Sequence, residues 1–517
     1  MATAQDRTKI FDVLVVGGSV TGCGLARDAA GRGLSVYLCA AGDLGSGASL
    51  MSARPAPDGL PFLQDRRIAP FRAAFAERDR LQAMAPHIVE PRRFVMPHDP
   101  QLRAAWRTRG GLFLADILGG AKRLPISIGV DLRSHRYGRP LKPDYPRGFV
   151  YSDCWMDESR LMLLNAVDAA ARGARISPRT VCIGLRREDG QWIATLRRHG
   201  MEWQVRARLL ANAAGHLLDR VRQLALGGAE AEAGAGPRAG RLVRNAQLVV
   251  PRLFQGSQAY LFQGEAGRPV FALPYQGAFT LIGTTEVAHP DPDRPAIAGD
   301  GEIETLCRAA NRYLKRSIGH ADIVSVFAGI RRLPGDSAPD GTGRPATLAD
   351  EPRPLVEDIG SGMAAAPLLT LQTGRVAGYR RLAEAALSRL AERFPQAGRA
   401  WTDKTPLPGG DLPDGDAEAF TGDLILRYPG LDRTFLRRLS QRHGSLSDAV
   451  LANAKRPADL GRDFGGGLTE CEVDWLHRNE WAEAAEDILW RRTKTGLFMS
   501  DQGRSLFADW FERQIAA

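Results

Sequence analysis

The chain has 517 residues, 44% of them hydrophobic and 25% charged, and a net charge of +10. That length exceeds one compact core, so two or more domains are expected. There is no run of about 18 apolar residues, and the opening MATAQDRTKIFD carries charges in place of an apolar core, so neither a spanning helix nor a secretory signal is expected.

The basic excess is mostly arginine and is spread along the chain. It reads either as a solvated surface or as attraction to an anionic membrane face or substrate. No aromatics interleave with it, so no nucleic-acid partner is expected. The cysteines (Cys23, Cys39, Cys154, Cys182, Cys307 and Cys471) form no CxxC pair and the histidines no HxxxH pair, so no metal is expected. Dispersed thiols suit a reducing cytoplasm.

In chain order, Phe11 to Val16 is a short valine-rich run, the signature of a buried strand. Gly17-Gly18-Ser19-Val20-Thr21-Gly22 turns it into a helix in which Ala26, Ala29 and Ala30 allow close packing on a sheet. Gly31 and Gly33 end that helix, and residues 34–39 form the second strand. Residues 159–172 have helical spacing. Residues 181–185 and 192–196 flank the turn Glu188-Asp189-Gly190 as a strand pair. Residues 209–214 lead to a loop at Gly215, and 227–240 are rich in Gly, Ala and Glu, the composition of a flexible loop. From 247 to 287 short β-like runs alternate with glycine turns, Leu248 to Val250 being the first. Helices follow at 302–314 and 379–393. Residues 395–416, rich in proline and glycine, read as a linker, and residues 417–517 as a helical domain in which Val473, Leu476 and Ile488 share one face while Glu483, Glu486, Asp487, Arg491 and Arg492 line the other.

A strand, glycine turn and helix N-terminus form a nucleotide pyrophosphate site. Gly17 and Gly22 supply the outer glycines of GxGxxG; Ser19 stands at the middle one, where a side chain either opposes close approach of a phosphate or contacts it through its hydroxyl. About 20 residues on, an acidic residue is expected on the ribose, and Ala40 stands there. The unit binds a nucleotide or is kept for packing alone.

Longer stretches are more specific. DVLVVGG, GLARDAAGRGLSVYLC, APHIVEPRRFVMPH, GLFLADILGGAKRLP, YSDCWMDESRLMLLNAVDAAARGA, NAAG (212–215), FTLIGTTE, AGIRRL, GYRRLAEAAL and NEWAEAAEDILWRRTKTGL occur in order between residues 12 and 497. By these the chain resembles the FAD-dependent glycerol-3-phosphate dehydrogenases. The resemblance implies an α/β fold: a Rossmann-like FAD-binding domain of the glycine-oxidase type over residues 1–394, a β-rich substrate layer at about 245–325, a linker at 395–416 and a C-terminal helical domain over 417–517. It implies oxidation of sn-glycerol 3-phosphate to dihydroxyacetone phosphate, with FAD taking the hydride and quinone the electrons, by a cytoplasmic protein peripheral to the membrane.

The resemblance assigns cofactor contacts to Gly17, Gly18, Ser19, Gly22, Ser46, Ala213, Gly215 and Gly374, and substrate phosphate to Arg331, with Arg375 keeping a positive charge nearby. This chain departs from the family at Met51 and Arg54, where the family has Arg and Lys, at Pro57 and Gln247 in place of two histidines, and at Pro61 in place of an arginine. Plainer readings stand beside these. Arg331 is a surface ion-pair residue, Arg375 a helix cap, Tyr379 and Arg380 packing residues, and 212–215 a tight strand exit. The basic amphipathic segment 103–123 is either a shallow membrane anchor or a core helix. For the whole chain the alternatives are a flavoprotein of altered substrate and a degenerate paralogue with weak or no FAD binding that acts as a binding protein.

Overall fold

β1 (Ile10–Val16) is buried along nearly its whole length because it lies inside a parallel sheet covered on both faces. The computed structural model describes residues 9–46, 54–55, 68–99, 124–227, 241–264, 268–333, 354–357, 366–372 and 376–516. After β1 come α1 (Val20–Gly31), β2 (Val36–Cys39), β3 (Val89–Pro97), β4 (Arg147–Met156), α2 (Glu158–Ala171) and β5 (Arg175–Ser177). β6 (Val181–Glu188), β7 (Gln191–Arg198) and β8 (Met201–Asn212) form an antiparallel ribbon whose last strand runs on into the parallel sheet. In that sheet β8, β1, β2 and β5 lie side by side, with Val16 opposite both Asn212 and Cys39. Asp189 and Gly190, both at positive φ, make the tight β6–β7 turn foreseen at Glu188-Asp189-Gly190.

The β-rich stretch is a second, larger sheet. β9 (Arg241–Pro251), β10 (Ala259–Gln263), β11 (Pro269–Tyr275) and β12 (Phe279–Gly283) are joined in it by β3, β4 and β13 (Ser325–Leu333). β9 starts well before Leu248, and Gln247 sits inside it, fully buried opposite Gly283 and Phe327 rather than ahead of a strand.

α1 is sandwiched by α2 and by α3 (Tyr379–Arg389). A Cβ at Gly24 would meet the Tyr379 ring at 2.4 Å, so glycine there lets the helices touch. Tyr379 and Arg380 take their plainer reading. The Tyr379 hydroxyl accepts a bond from Asn165 Nδ2 at 3.0 Å, and the Arg380 guanidinium is held by Glu77 and Glu384 in the core.

The segment after α3 is irregular as expected, but it is pinned rather than loose. Arg27 donates to the carbonyls of Thr405 and Pro406 and stacks on Trp401. In the helical C-terminal region the long helix expected beyond Glu480 breaks at Trp481, whose φ is +53°, and the chain re-forms as a π-helical turn, Asp487–Arg492. The charges read as lining one face are split. Asp487 and Arg492 are buried against the first sheet's loops, because each meets an opposite charge there. No helix among the described residues is long and apolar enough to cross a membrane.

Candidate cofactor and substrate site

A cavity of about 590 Å³ opens where β1, β2 and β8 end, within the range of small-molecule sites. Gly17, Gly18, Ser19, Ser46, Ala213, Gly215 and Arg331 all line it, so seven residues singled out from sequence converge on one space. Gly22 lies just behind: a Cβ there would fall 2.0 Å from the Gly17 carbonyl oxygen. Gly17 has φ +123° and a Cβ on it would stand 2.4 Å from the Ala213 oxygen, so both outer glycines are required by the turn itself. Gly374, Arg375, Met51, Pro57, Pro61 and the segment 103–123 lie outside the described residues, as does most of the 227–240 loop.

Ser19, read from sequence as either crowding a phosphate or contacting it, has its hydroxyl engaged within the protein. It is the N-cap of α1: its hydroxyl accepts from Gly22 N at 3.3 Å and donates to the Ala213 carbonyl at 3.0 Å. The side chain is folded back onto protein, ties β8 to α1, and satisfies one of the helix's open N–H groups. The positive end of α1 still faces the cavity.

Ala40 stands at the end of β2 on the cavity wall, and its side chain offers no hydrogen bond. Its backbone is committed, the N–H to Ser177 and the carbonyl to Thr180. Carboxylates do line the cavity elsewhere, at Asp43, Glu158 and Asp293. Asn212 points inward to the Leu218 carbonyl, so the 212–215 run is a tight strand exit as well as cavity wall.

Arg331 comes from β13, where it lies opposite Val243, and its guanidinium reaches Glu286 at 3.4 Å while lining the cavity. It is therefore an ion-pair residue and a wall residue at once. Arg332 beside it bridges to Asp219 at 2.5 Å.

Glu158, His216 and Arg332 on this wall were not found from sequence. The available signals were positional. Glu158 follows the Asp157 N-cap of α2, at the sheet edge where the glycine turn lies, and His216 directly follows NAAG. Burial, then the nearby His289, lower the His216 pKa. Cys39 and Cys182 also face the cavity, but burial raises both thiols, Cys182 to about 12, so neither is a thiolate nucleophile. Among the described residues no group of three or more His, Cys, Asp or Glu could hold a metal ion.

A phosphate-bearing nucleotide fits this arrangement: a glycine turn that brings backbone close, a capped helix aimed at the space, and a cavity at the strand ends. Comparison with known proteins agrees. Residues 12–368 match the FAD dependent oxidoreductase family, and residues 400–512 match the C-terminal domain of alpha-glycerophosphate oxidase. The glycerol-3-phosphate dehydrogenase of Pseudomonas aeruginosa is 42% identical over 95% of this chain and 93% of its own length. The D-erythritol 1-phosphate dehydrogenase of Brucella abortus is 40% identical over 97% of both. Among solved structures, the glycerol-3-phosphate dehydrogenase of Bacillus halodurans complexed with FAD shares the fold, with a TM-score of 0.74 and 22% identity over 99% of this chain and 92% of that one. The chain belongs to the FAD-dependent oxidoreductase family, in its glycerol-3-phosphate dehydrogenase branch.

Proposed function

We propose that this protein is an FAD-dependent dehydrogenase of a small polyol phosphate, with sn-glycerol 3-phosphate as substrate and dihydroxyacetone phosphate as product. The observation that carries the reading is that the glycine turn and Arg331 share one cavity. Bound there, FAD supplies a two-electron acceptor for the hydride that leaves the alcohol carbon. Gly17, Gly18 and the N-terminus of α1 hold the pyrophosphate, with Ser46, Ala213, Gly215 and Gly374 around it. Arg331, and Arg375 with it, hold the substrate phosphate, a bidentate task suited to a guanidinium. Glu286 orients Arg331 from behind. Quinone as the onward acceptor and a peripheral seat on the cytoplasmic membrane face belong to the same reading.

A second substrate has specific support. The 40%-identical Brucella relative bears the name of a D-erythritol 1-phosphate dehydrogenase, so a four-carbon polyol phosphate is the competing choice. The weak-binding alternative rests on Ala40 and Ser19 and on the departures at Met51, Arg54, Pro57, Pro61 and Gln247.

The test is to purify the protein, record its visible spectrum, and supply each polyol phosphate with an artificial electron-accepting dye. A yellow protein that reduces dye with glycerol 3-phosphate and less well with erythritol 1-phosphate supports the reading. The reverse preference moves it to the second substrate. A colourless protein that takes up no added FAD defeats both.

A further inference from the structure

One flank of the cavity is built from two loops, residues 40–46 after β2 and residues 178–180 before β6. They hold each other through two backbone bonds, Arg179 N–H to the Gly42 carbonyl at 2.9 Å and Thr180 N–H to the Ala40 carbonyl at 2.7 Å. Both are also gripped by a single turn of the C-terminal domain. Asp487 accepts two bonds from Arg179 Nη2, at 2.6 and 2.7 Å. Asp43, itself on the cavity wall, accepts from Arg491 Nε at 2.7 Å and from Arg492 Nη2 at 2.8 Å, with a second contact from Arg492 Nη1. Arg491 Nη2 reaches Asp487 at 2.5 Å and joins the two grips, and Arg492 Nη2 is anchored by the Glu480 carbonyl at 2.7 Å.

These groups are deeply buried: the Asp43 and Asp487 side chains are 0% exposed and Arg492 1%. Neighbouring residues of a regular α-helix point about 100° apart. Here consecutive arginines meet one carboxylate from a π-helical turn, a distortion found at functional positions. Burying so many charges is a poor way to gain stability, since apolar packing serves as well or better, but it fixes geometry. The electrostatics have a direction too. Without its arginines Asp43 would be a buried negative charge facing an anionic pyrophosphate.

We propose that the turn Asp487–Arg492 is a positioning device for the bound cofactor: acting through Asp43 and Arg179, it sets the two loops against which the nucleotide lies, so that the C-terminal domain governs FAD retention without touching FAD. By linkage, FAD in turn strengthens docking of that domain.

The experiment titrates the full-length apoprotein with FAD and follows flavin fluorescence. Arg492→Ala and Asp487→Asn should weaken FAD binding about 10- to 100-fold, and Arg492→Lys should recover part of the loss. In case a buried variant does not fold, Arg179→Gln tests the more accessible end of the same network, with a loss of several-fold. Glu472→Gln is the control: it breaks a buried cluster with Arg442 and His443 that contacts neither loop, and should lower the apoprotein's melting temperature while leaving FAD affinity unchanged. Wild-type affinity in Arg179→Gln and in the folded Arg492 variants, with lowered apoprotein stability, would overturn the proposal and leave the turn as a domain fastener. The inference rests on FAD occupying the cavity. Wild-type protein that takes up no FAD defeats that premise and the clamp with it, whereas wild-type uptake with unaltered variants defeats the clamp alone.

Discussion

The two sides of the cavity are held by opposite means. Beside β1 and α1 everything needed is local: two glycines forced by backbone contacts of 2.4 and 2.0 Å, and a serine cap three residues from its partner. On the other side, the 40–46 loop is held by arginines some 448 positions away. The first wall tolerates few residue types but is complete in itself. The second depends on whether another domain is docked. A lost polar group on the second wall, such as the missing acid at Ala40, therefore says little about how firmly that wall is held, because its loops are fixed from the C-terminal domain.

The sharpest way to break the comparison is at the distant side's anchor. Arg160 forms a bidentate pair with Glu480 at 2.6 and 3.0 Å, both fully buried. Arg160→Ala leaves Glu480 charged and unpaired and should cost about 3–5 kcal/mol in denaturant unfolding. On the local side, Gly17→Ala forces a Cβ into the Ala213 carbonyl at positive φ. It should cost about 2–4 kcal/mol and remove flavin from the purified protein. A purified Gly17→Ala variant with full flavin content would show that the local wall is less exacting than its geometry.

Next comes pH. His87 lies among Arg160 and His443, and both its ring nitrogens are buried without a hydrogen-bond partner among the described residues. Burial, then the charge of Arg160, then His443 push its pKa down to about 3. The unfolded chain binds that proton below about 6.5, the folded chain only below about 3. Stability is therefore lost as pH falls through that window, by about 2 kcal/mol at pH 5. His443, also lowered by its burial, acts in the same direction. Melting temperatures of the apoprotein at pH 6.5 and 5 measure the slope, and His87→Leu should flatten it. The smallest effect sharpens the local side. Ser19→Ala should cost about 1 kcal/mol, and Ser19→Gly a few tenths. The plain motif reading expects Ser19→Gly to tighten FAD; the capping geometry expects no gain, and an FAD titration separates the two.

This contrast also explains what could be read from the chain alone. The β1–α1 unit, the hairpin at Asp189-Gly190 and the helix behind Asp157 were legible because periodicity, glycine and caps act over a few residues. So were Gly17, Ala213 and Arg331 as lining one cavity, through the long family-like stretches. The cavity positions of Glu158 and His216 were not, because each enters the cavity through the placement of a whole strand or loop. The run 483–492 was misjudged for the same reason. Its alternating charge is what a solvated helix face looks like until Asp43 and Arg179, hundreds of residues earlier, are brought against it.

Trp401 has one more consequence. Its indole fills the space over Gly31, where a Cβ would stand 2.0 Å from the ring, and it stacks on both Arg27 and Arg172. The two positions are thus one volume shared between distant parts of the chain. Among related sequences, any that carries a larger residue at 31 must carry a smaller one at 401, so their joint variation would mark which relatives fasten the 395–416 segment in this way.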